Sequence, residues 1–424
     1  MKAVDLGPVP LEDRRQSPLD LFLIFAGANV VATTMVTGAS LAPAFDTRTA
    51  HALIGLGAVA GAGLVAALVP LGPRLGVPSV IAARAALGPG GAGLLATLLF
   101  LTNFAWIALN NVIAASACSQ ALGGDERAWA VLLGLAATAV VAAGPAAVGR
   151  ADRIAVPVML AVAVAMTVRA LGLSEPETAR TVPAAETWRG LDVVIGYQAS
   201  WILMFADYSR YCRSESRSRA AVFLALASTS TWFMALGFLA ARAAGSGDPG
   251  AMLAALGLGR TGALLMAAAT VTTNFVNVYL SALAWKSLVP RAGGQASIWS
   301  IGLVGAALSI LSRVWLDRYA DFMVVLGTLL VPVGGVLLAH FFVLKVPTDV
   351  AALYDPAEGS PRVSRAGILA WALGGAAYHA GAPVGGTLPA LVASAVAYSL
   401  LVTRGAGTRS RTTGAQESRG TPAR

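Results

Sequence analysis

Long apolar segments follow one another through almost the whole chain, and no other feature of the sequence restricts its fold as much. Hydropathy and turn signals give about twelve of them, each able or nearly able to cross a bilayer as a helix. They lie at 19–43, 51–70, 91–119, 128–149, 153–173, 191–206, 220–243, 260–288, 297–312, 319–344, 365–380 and 386–403. Only 12% of the 424 residues are charged, against roughly 25% in soluble proteins. The sequence therefore predicts an all-α integral membrane protein with twelve transmembrane helices.

The basic residues predict how these helices are oriented. With the N-terminus inside, roughly two thirds of the 30 lysines and arginines fall in inner loops and at the two ends. This predicts a multi-pass protein of the cytoplasmic (inner) membrane with both termini in the cytoplasm. The net charge of +9 is then a topology signal and predicts no nucleic-acid partner. Cys118 and Cys212 fall on opposite sides, so no disulfide is expected.

Two apolar segments are interrupted by glycine at matching places. Segment 1 has Gly27-Ala28-Asn29 in its middle, and segment 6 has Gly196-Tyr197-Gln198 within a run too short for a straight span. Such breaks favour a transporter binding site, although a glycine kink made for packing is the alternative. Each segment opens a set of five spans, which predicts two inverted repeats. The predicted divisions are a cytoplasmic segment 1–18, repeats 19–173 and 191–344, accessory helices 345–403 and a disordered tail 404–424.

The spans carry neutral polar side chains in place of charged ones. No Asp, Glu or Lys lies in the middle of a span, which favours a neutral or zwitterionic solute and removes the case for an enzyme. Asn103, Trp106 and Asn110 share one helical face, and segment 8 holds Thr272, Thr273, Asn274 and Asn277. An aromatic plane beside a carboxamide suits a flat heterocycle. The alternatives are interhelical hydrogen bonds for each asparagine and bonds within the helix for each threonine.

Several motifs together resemble the nucleobase:cation symporter-1 family of cytosine, purine, hydantoin and allantoin permeases. GYQASWILMFADYSRYCR, from Gly196, resembles the family's Gly…Ala-Asp-Tyr/Phe-x-Arg-Tyr/Phe signature, and VPVGGV at 331–336 resembles its Pro-Pro-x-Gly-Gly-Val. NVVATTMVTGASL, TNFAWIAL and TTN match in order and spacing, so the resemblance covers about residues 15 to 400 and is closest to bacterial cytosine-permease-like members. It implies the leucine-transporter-type fold: two inverted five-helix repeats plus two accessory helices, with helices 1 and 6 broken, working by alternating access.

The resemblance also implies site residues. In relatives a planar base stacks on the tryptophan of segment 3, here Trp106, and Na⁺ lies between segments 1 and 8. The expected substrate-binding residues are Val31, Asn103, Trp106, Tyr197, Gln198, Ser200, Asn274 and Asn277. The expected Na⁺ ligands are the backbone carbonyls of Gly27, Val30 and Ala269 and the hydroxyls of Thr272 and Thr273.

Departures from the family pattern bear on the substrate. Asn103 stands where relatives often have glutamine, and Gln198 and Val31 replace aromatic residues of the nearest cytosine permeases. The ligand is therefore expected to differ from cytosine, and hydroxymethylpyrimidine would fit a wider, more polar pocket. We predict a monomeric secondary active symporter that imports a neutral nucleobase or related heterocycle with Na⁺. The alternatives are a proton-coupled carrier of hydroxymethylpyrimidine or of allantoin and hydantoin, a passive channel, and a non-transporting receptor. Asp207 and Arg210 could pair at the inner end of segment 6, and a role in topology and helix capping is the equal alternative.

Overall fold

The structure is a computed structural model that describes residues 6–172, 182–289, 291, 293–356, 358 and 361–417. The described residues form an all-helical bundle. The first-half helices are α1 Pro18–Asn29, α2 Ala32–Ala39, α3 Thr47–Leu68, α4 Leu71–Leu75, α5 Ser79–Leu122, α6 Glu126–Ala142 and α7 Pro145–Ala170. The second-half helices are α8 Ala184–Ala199, α9 Glu215–Ala244, α10 Pro249–Ala255, α11 Gly259–Leu288, α12 Gly294–Leu308, α13 Ser312–Asp317 and α14 Tyr319–Leu338. The chain ends with α15 Val350–Tyr354, α16 Arg365–Gly381 and α17 Thr387–Glu417.

Many of these helices are apolar enough to span a bilayer. Seven helices of the described chain are long and apolar enough to cross a membrane, and eight are if the bent pair α1–α2 is counted as one span. The predicted number of twelve spans stays a prediction. The region 71–90 contains α4 and the first turns of α5, which bends at Gly88, a residue in the left-handed region (φ 75°), just before Pro89.

The chain changes direction between α1 and α2. Helix α1 begins with a capping box, in which the Ser17 hydroxyl and the Asp20 carboxylate bind each other's backbone amides, followed by Pro18. It ends at Asn29; Val30 and Val31 leave the helical conformation, with Val31 extended (φ −140°, ψ 161°). Helix α2 then continues at 57° to α1. This break frees backbone carbonyls at the centre of the bundle.

Gly196 lies inside a helix, so the expected break at Gly196-Tyr197-Gln198 is misplaced. Helix α8 runs through all three residues and passes into a 3₁₀ helix only at Ser200–Met204. The physical reason is packing: a Cβ on Gly196 would lie 2.2 Å from the carbonyl oxygen of Met323 on α14. Glycine here lets two helix backbones approach closely, which is the packing alternative stated above.

The core is built from pairs of long helices. Helix α5 packs along α11, α9 packs against α1, α2 and α3, and α8 lies between α3 and α14. Glycines make the α2–α9 crossing tight, because a Cβ on Gly38 would meet Met234 O and a Cβ on Gly237 would meet Met35 O. Helices α16 and α17 pack on each other and on α14 at the edge of the bundle.

Residues 6–17 form a segment that lies across one end of the bundle; we call it the N-terminal strap. Val9 N donates to Gly76 O at 2.8 Å, and Gln16 N donates to Tyr211 O at 3.0 Å. The Arg14 guanidinium donates to the carbonyls of Val9 and Pro73. At the other end of the chain, α17 continues as a helix to Glu417, whereas a disordered tail was predicted from residue 404; no proline interrupts it before Pro422, and residues 418–424 lie outside the described residues.

Candidate functional site

A cavity of about 440 Å³ lies at the centre of the bundle, between α1, α5, α8 and α11. It adjoins both the break after α1 and the 3₁₀ turn after α8. Six of the eight predicted substrate-binding residues line it: Val31, Asn103, Trp106, Tyr197, Ser200 and Asn277. The volume and the mixture of apolar walls with a few polar groups are typical of a small-molecule site.

Aromatic side chains form one wall of this cavity. Trp106 lines the cavity and is 8% exposed. Its ring makes edge-to-face contacts with Tyr197 (centroids 5.9 Å apart) and Phe322 (5.4 Å). The Tyr197 hydroxyl is in turn held by a 2.6 Å hydrogen bond with the Thr34 hydroxyl. The indole is thus held in place from two sides. A stacking surface that is already held in place loses little conformational entropy when a ligand binds.

Polar groups face the same space. Asn103 lies one helical turn from Trp106 on α5, and its carboxamide makes no hydrogen bond with the described residues. Asn110 donates Nδ2 to Trp106 O at 2.9 Å and keeps a buried Oδ1 without a partner in the described chain. The Trp201 indole N–H is likewise buried and unpaired there. These donors and acceptors suit the edge of a heterocycle, since a buried polar group left unpaired is costly.

Two predicted substrate-binding residues lie outside the cavity lining. Gln198 is fully buried and points to α9, donating Nε2 to Ser230 Oγ at 2.8 Å and to Leu226 O at 3.3 Å. Gly61 of α3 lies directly against it, since a Cβ added to Gly61 would be 2.5 Å from Gln198 Cβ. In this arrangement Gln198 does not contact a ligand in the cavity.

Asn274 is likewise fully buried and committed to other helices. Its Nδ2 donates to Asn111 Oδ1 at 2.7 Å and to Ile107 O at 3.2 Å, and its Oδ1 accepts from Asn277 at 3.3 Å. Asn111 continues the chain of bonds to Ser309 Oγ at 2.9 Å. The geometry fits the interhelical hydrogen-bond alternative for Asn274, and Asn277 is the member of this network that lines the cavity.

Three of the five predicted Na⁺ ligands line the cavity, and the other two, Val30 and Ala269, are buried outside its lining. Gly27, Thr272 and Thr273 line the cavity, and Thr272 Oγ1 lies 2.8 Å from Ala269 O. Thr273 Oγ1 is buried and has no hydrogen-bond partner in the described chain. Thr34 N donates to Val31 O, so Val30 O lacks its helical partner four residues on. A buried hydroxyl without a partner and the carbonyls freed by the α1–α2 break are hard oxygen donors, the type that suits a small monovalent cation.

A smaller cavity, of about 70 Å³, continues towards the N-terminal strap and shares Asn103, Ser200, Met204 and Leu280 with the first. Asp207 lines it, and its carboxylate accepts a 2.5 Å hydrogen bond from Ser79 Oγ. Arg210, its expected partner, donates to Tyr211 Oη at 3.0 Å and to Gly7 O at 3.3 Å. Asp207 therefore lies beside an extension of the central cavity, a placement that the sequence did not indicate.

The opposite side of the central cavity is closed by α14. Tyr319 is buried, its hydroxyl lies 2.8 Å from Thr37 Oγ1, and it donates to Thr33 O at 2.9 Å. Phe322, one turn further on, packs against Trp106. The central cavity thus extends towards the end of the bundle that carries the N-terminal strap and is covered at the other.

Asp192 is a buried carboxylate that the sequence reading did not single out. It is 5% exposed and accepts from Gly386 N at 2.7 Å, Thr387 N at 3.1 Å and Thr387 Oγ1 at 2.7 Å. It therefore caps the start of α17 from α8. In the sequence, only its position at the start of the apolar run 191–206 could have drawn attention to Asp192. Its hydrogen-bond donors are almost two hundred residues away along the chain.

Comparison with known protein families gives a match over nearly the whole chain. Residues 8–403 match the model of a family described as permeases for cytosine/purines, uracil, thiamine and allantoin. The cytosine permease of Escherichia coli (strain K12) is 24% identical over 379 residues, covering 88% of each chain. The "Putative purine-cytosine permease YxlA" of Bacillus subtilis (strain 168) is 29% identical over 241 residues, 54% of this chain and 52% of the relative.

Solved structures show the same fold. Mhp1, titled a nucleobase-cation-symport-1 family transporter in a closed conformation with bromovinylhydantoin bound, superposes with a TM-score of 0.78 at 18% identity, covering 96% of each chain. A Na⁺-coupled sialic acid symporter in an outward-open state gives a TM-score of 0.60 at 14% identity, covering 92% of this chain and 91% of the other. At these identities the likeness concerns the fold alone.

Proposed function

Because the chain belongs to the family of permeases for cytosine/purines, uracil, thiamine and allantoin, we propose that it is a secondary active symporter importing a neutral planar heterocycle with Na⁺. The family consists of transporters, so the chain is a multi-pass membrane transporter of the nucleobase class and not an enzyme. Placement in the inner membrane with both termini in the cytoplasm is part of the proposal and follows from the basic loops.

The observation that carries the substrate proposal is the pairing of Trp106 with Asn103 on one face of α5. The indole is held rigid by two aromatic contacts, and the Asn103 carboxamide has no partner among the described residues. A planar ring can stack on the indole while the carboxamide binds its edge. Ser200, whose hydroxyl donates to Tyr197 O at 2.6 Å, and Asn277 would complete the polar contacts.

The coupling proposal rests on the geometry of the α1–α2 break. A cation bound by Thr273 Oγ1, Thr272 and the carbonyls of α1 would tie α11 to the break and hold the cavity walls together. Each ligand would then raise the affinity of the other by the same factor. Na⁺ is the ion we propose, as a co-transported substrate with hard oxygen ligands.

Proton coupling is a second candidate, favoured by Asp207. This half-buried carboxyl lines the smaller cavity, accepts a hydrogen bond from Ser79 and lies beside the extension of the central cavity. A carboxyl in such a place can exchange a proton with the inner solution as the transporter opens. Under this alternative the substrate would be hydroxymethylpyrimidine, allantoin or a hydantoin carried with H⁺.

A thermal-shift screen of the purified protein separates these possibilities. Cytosine, uracil, adenine, hypoxanthine, allantoin, hydantoin and hydroxymethylpyrimidine are each added in Na⁺ and in choline at fixed ionic strength. A ligand that binds only the folded state raises Tm. A rise that is larger in Na⁺ identifies the substrate and supports Na⁺ coupling. A rise in Tm that is equal in both salts, depends on pH and is altered in Asp207→Asn supports proton coupling. No rise in Tm with any of the heterocycles contradicts the substrate class.

A further inference from the structure

A second, open cavity of about 1220 Å³ lies apart from the central one. Its walls come from the start of α5, the connection between α14 and α16 that includes α15, and the part of α17 around Leu401. It shares no lining residue with the cavity around Trp106. It lies at the strap end of the bundle, since Tyr354 of α15 donates its hydroxyl to Leu6 O. We call it the interfacial cavity.

The lining of the interfacial cavity carries more positive than negative charge, with two arginines and one aspartate. Arg84 donates Nη1 to Leu353 O at 2.9 Å, and its Nε is buried with no partner among the described residues. Arg365, the first residue of α16, is exposed and makes no ion pair with any described residue. The acidic residue of the lining, Asp349, caps α15 by accepting from Ala351 N at 3.0 Å. Two guanidinium groups, which stay charged at any physiological pH, therefore face one engaged carboxylate.

His340 adds a third donor to the same lining. Its Nδ1 lies 2.8 Å from the Tyr398 hydroxyl, and its Nε2 is buried without a hydrogen-bond partner in the described chain. When Tyr398 donates to Nδ1, the ring proton sits on Nε2, where it has no acceptor. Buried donors without acceptors are costly, so packing alone does not account for Arg84 Nε and His340 Nε2.

The remaining walls are apolar and open towards the surface that faces lipid. Leu401 and Val402 of α17 line the cavity. Leu400, next to Leu401, is 52% exposed, and Val343, three residues before the lining residue Val346, is 67% exposed. The apolar stretches Tyr319–Val343 and Thr387–Arg404 are each long enough to cross a membrane and end here. The interfacial cavity thus lies where hydrocarbon gives way to water.

From this arrangement we propose that the interfacial cavity binds an anionic phospholipid of the adjacent leaflet, its phosphate held by Arg84 and Arg365 and its acyl chains lying along Leu401 and Val402. Basic pockets between transmembrane helices at this level suit lipid head groups. The bound phosphate bridges α5 to α16 and so holds the connection between α14 and α16 in place. By the predicted orientation, this is the cytoplasmic leaflet. The neutral heterocycle proposed as substrate would gain no charge pairing from two arginines. A small soluble anion would leave the apolar wall without a partner.

The test compares lipids and variants on the full chain in detergent. Dioleoyl phosphatidylglycerol, dioleoyl phosphatidylcholine and inorganic phosphate are added separately, and Tm and lipid occupancy by native mass spectrometry are measured. Phosphatidylglycerol is expected to raise Tm by about 2–4 °C, with a smaller rise for phosphatidylcholine. Arg365→Gln should weaken phosphatidylglycerol binding roughly fivefold, and Arg84→Gln at least as much.

Arg219→Gln is the matched control, because Arg219 is exposed on the same side of the bundle, at the start of α9, and outside this cavity. It should keep the wild-type response to phosphatidylglycerol. Arg365 is exposed, so its variant keeps the test valid if Arg84→Gln fails to fold. Equal phosphatidylglycerol binding by wild type and Arg365→Gln overturns the proposal. So does an equal response to phosphatidylcholine, or a Tm rise of the same size with inorganic phosphate alone.

Discussion

At the scale of single residues, Trp106 and Asn103 divide the proposed recognition between a ring face and a carboxamide. The two side chains lie one turn apart on α5, so a ligand that stacks on the indole brings its edge towards the amide. Neither group is charged, which matches a ligand that crosses the membrane without a charge of its own.

Replacing Trp106 with alanine should weaken substrate binding roughly tenfold to a hundredfold, because stacking of a base on an aromatic ring contributes about 1–3 kcal/mol. Trp106→Phe should retain part of the affinity. Trp299, which is 40% exposed on α12 and outside the cavity, provides the matched control as Trp299→Ala. Titration of the heterocycle identified in the thermal-shift screen measures the change. Wild-type affinity in Trp106→Ala would remove the indole from the site.

Two threonines on α11 give an isosteric test of the ion site. Thr273 Oγ1 has no partner in the described chain, whereas Thr270 Oγ1 donates to Met266 O at 2.8 Å, away from the cavity lining. Thr273→Val should abolish most of the difference in substrate affinity between Na⁺ and choline, since it removes a ligand without changing the side chain's shape. Thr270→Val should keep that difference. If Na⁺ dependence is unchanged in Thr273→Val, this hydroxyl does not bind the ion.

Replacing Asn274 is expected to lower the stability of the fold more than it lowers substrate affinity. Alanine at this position leaves Asn111 Oδ1 and Ile107 O without their donor in a buried network, at a cost of about 1–3 kcal/mol. The expected result is a lower Tm of the ligand-free protein, measured by thermal unfolding in one detergent. A normal Tm combined with lost binding would instead place Asn274 in contact with the substrate.

At the scale of helices, the contact between α8 and α14 depends on a missing side chain. Gly196→Ala would put a Cβ 2.2 Å from Met323 O, and backbone cannot move aside as a flexible side chain can. We expect a loss of folded protein or a Tm lower by several degrees, measured by fluorescence size-exclusion and thermal unfolding. Gly63→Ala on α3 is the control, because nothing lies within 4 Å of its added Cβ. Equal Tm values in the two variants would contradict the close approach.

The same helices show what a sequence can and cannot predict here. Hydropathy locates the apolar segments because each span must satisfy its own backbone in lipid, and the helical repeat alone places Asn103 and Trp106 on one face. In the sequence, a glycine that breaks a helix looks the same as a glycine that lets a second helix pack closely. The role of Gly196 is therefore clear only from its neighbour Met323 on α14. Gln198 and Asn274 form hydrogen bonds with residues on other helices. Which helices become neighbours depends on tertiary packing, and the residues around each position in the sequence do not reveal it.

At the scale of the whole molecule, the central cavity extends to one end of the bundle and is covered at the other by α14. Leu280 lines both the central and the smaller cavity, so a cysteine there reports the state of this route. In a variant lacking Cys118 and Cys212, Leu280→Cys should react with an impermeant maleimide added from the strap side. Reagent added from the opposite side should react far more slowly, and saturating substrate should slow the reaction. Equal rates from both sides would contradict the closure by Tyr319 and Phe322.

The N-terminal strap has a consequence for how the protein is made. Leu6 leaves the ribosome 348 residues before Tyr354, yet its carbonyl accepts a hydrogen bond from the Tyr354 hydroxyl. Arg213 Nε donates to Arg14 O at 2.9 Å, which ties the strap to the connection that follows α8 as well. The strap can therefore dock completely only after α15 has been synthesised, when the helices from α1 to α14 have already been made. Docking can precede the insertion of α16 and α17, whereas a nascent chain stalled before α15 lacks the contact between Leu6 and Tyr354.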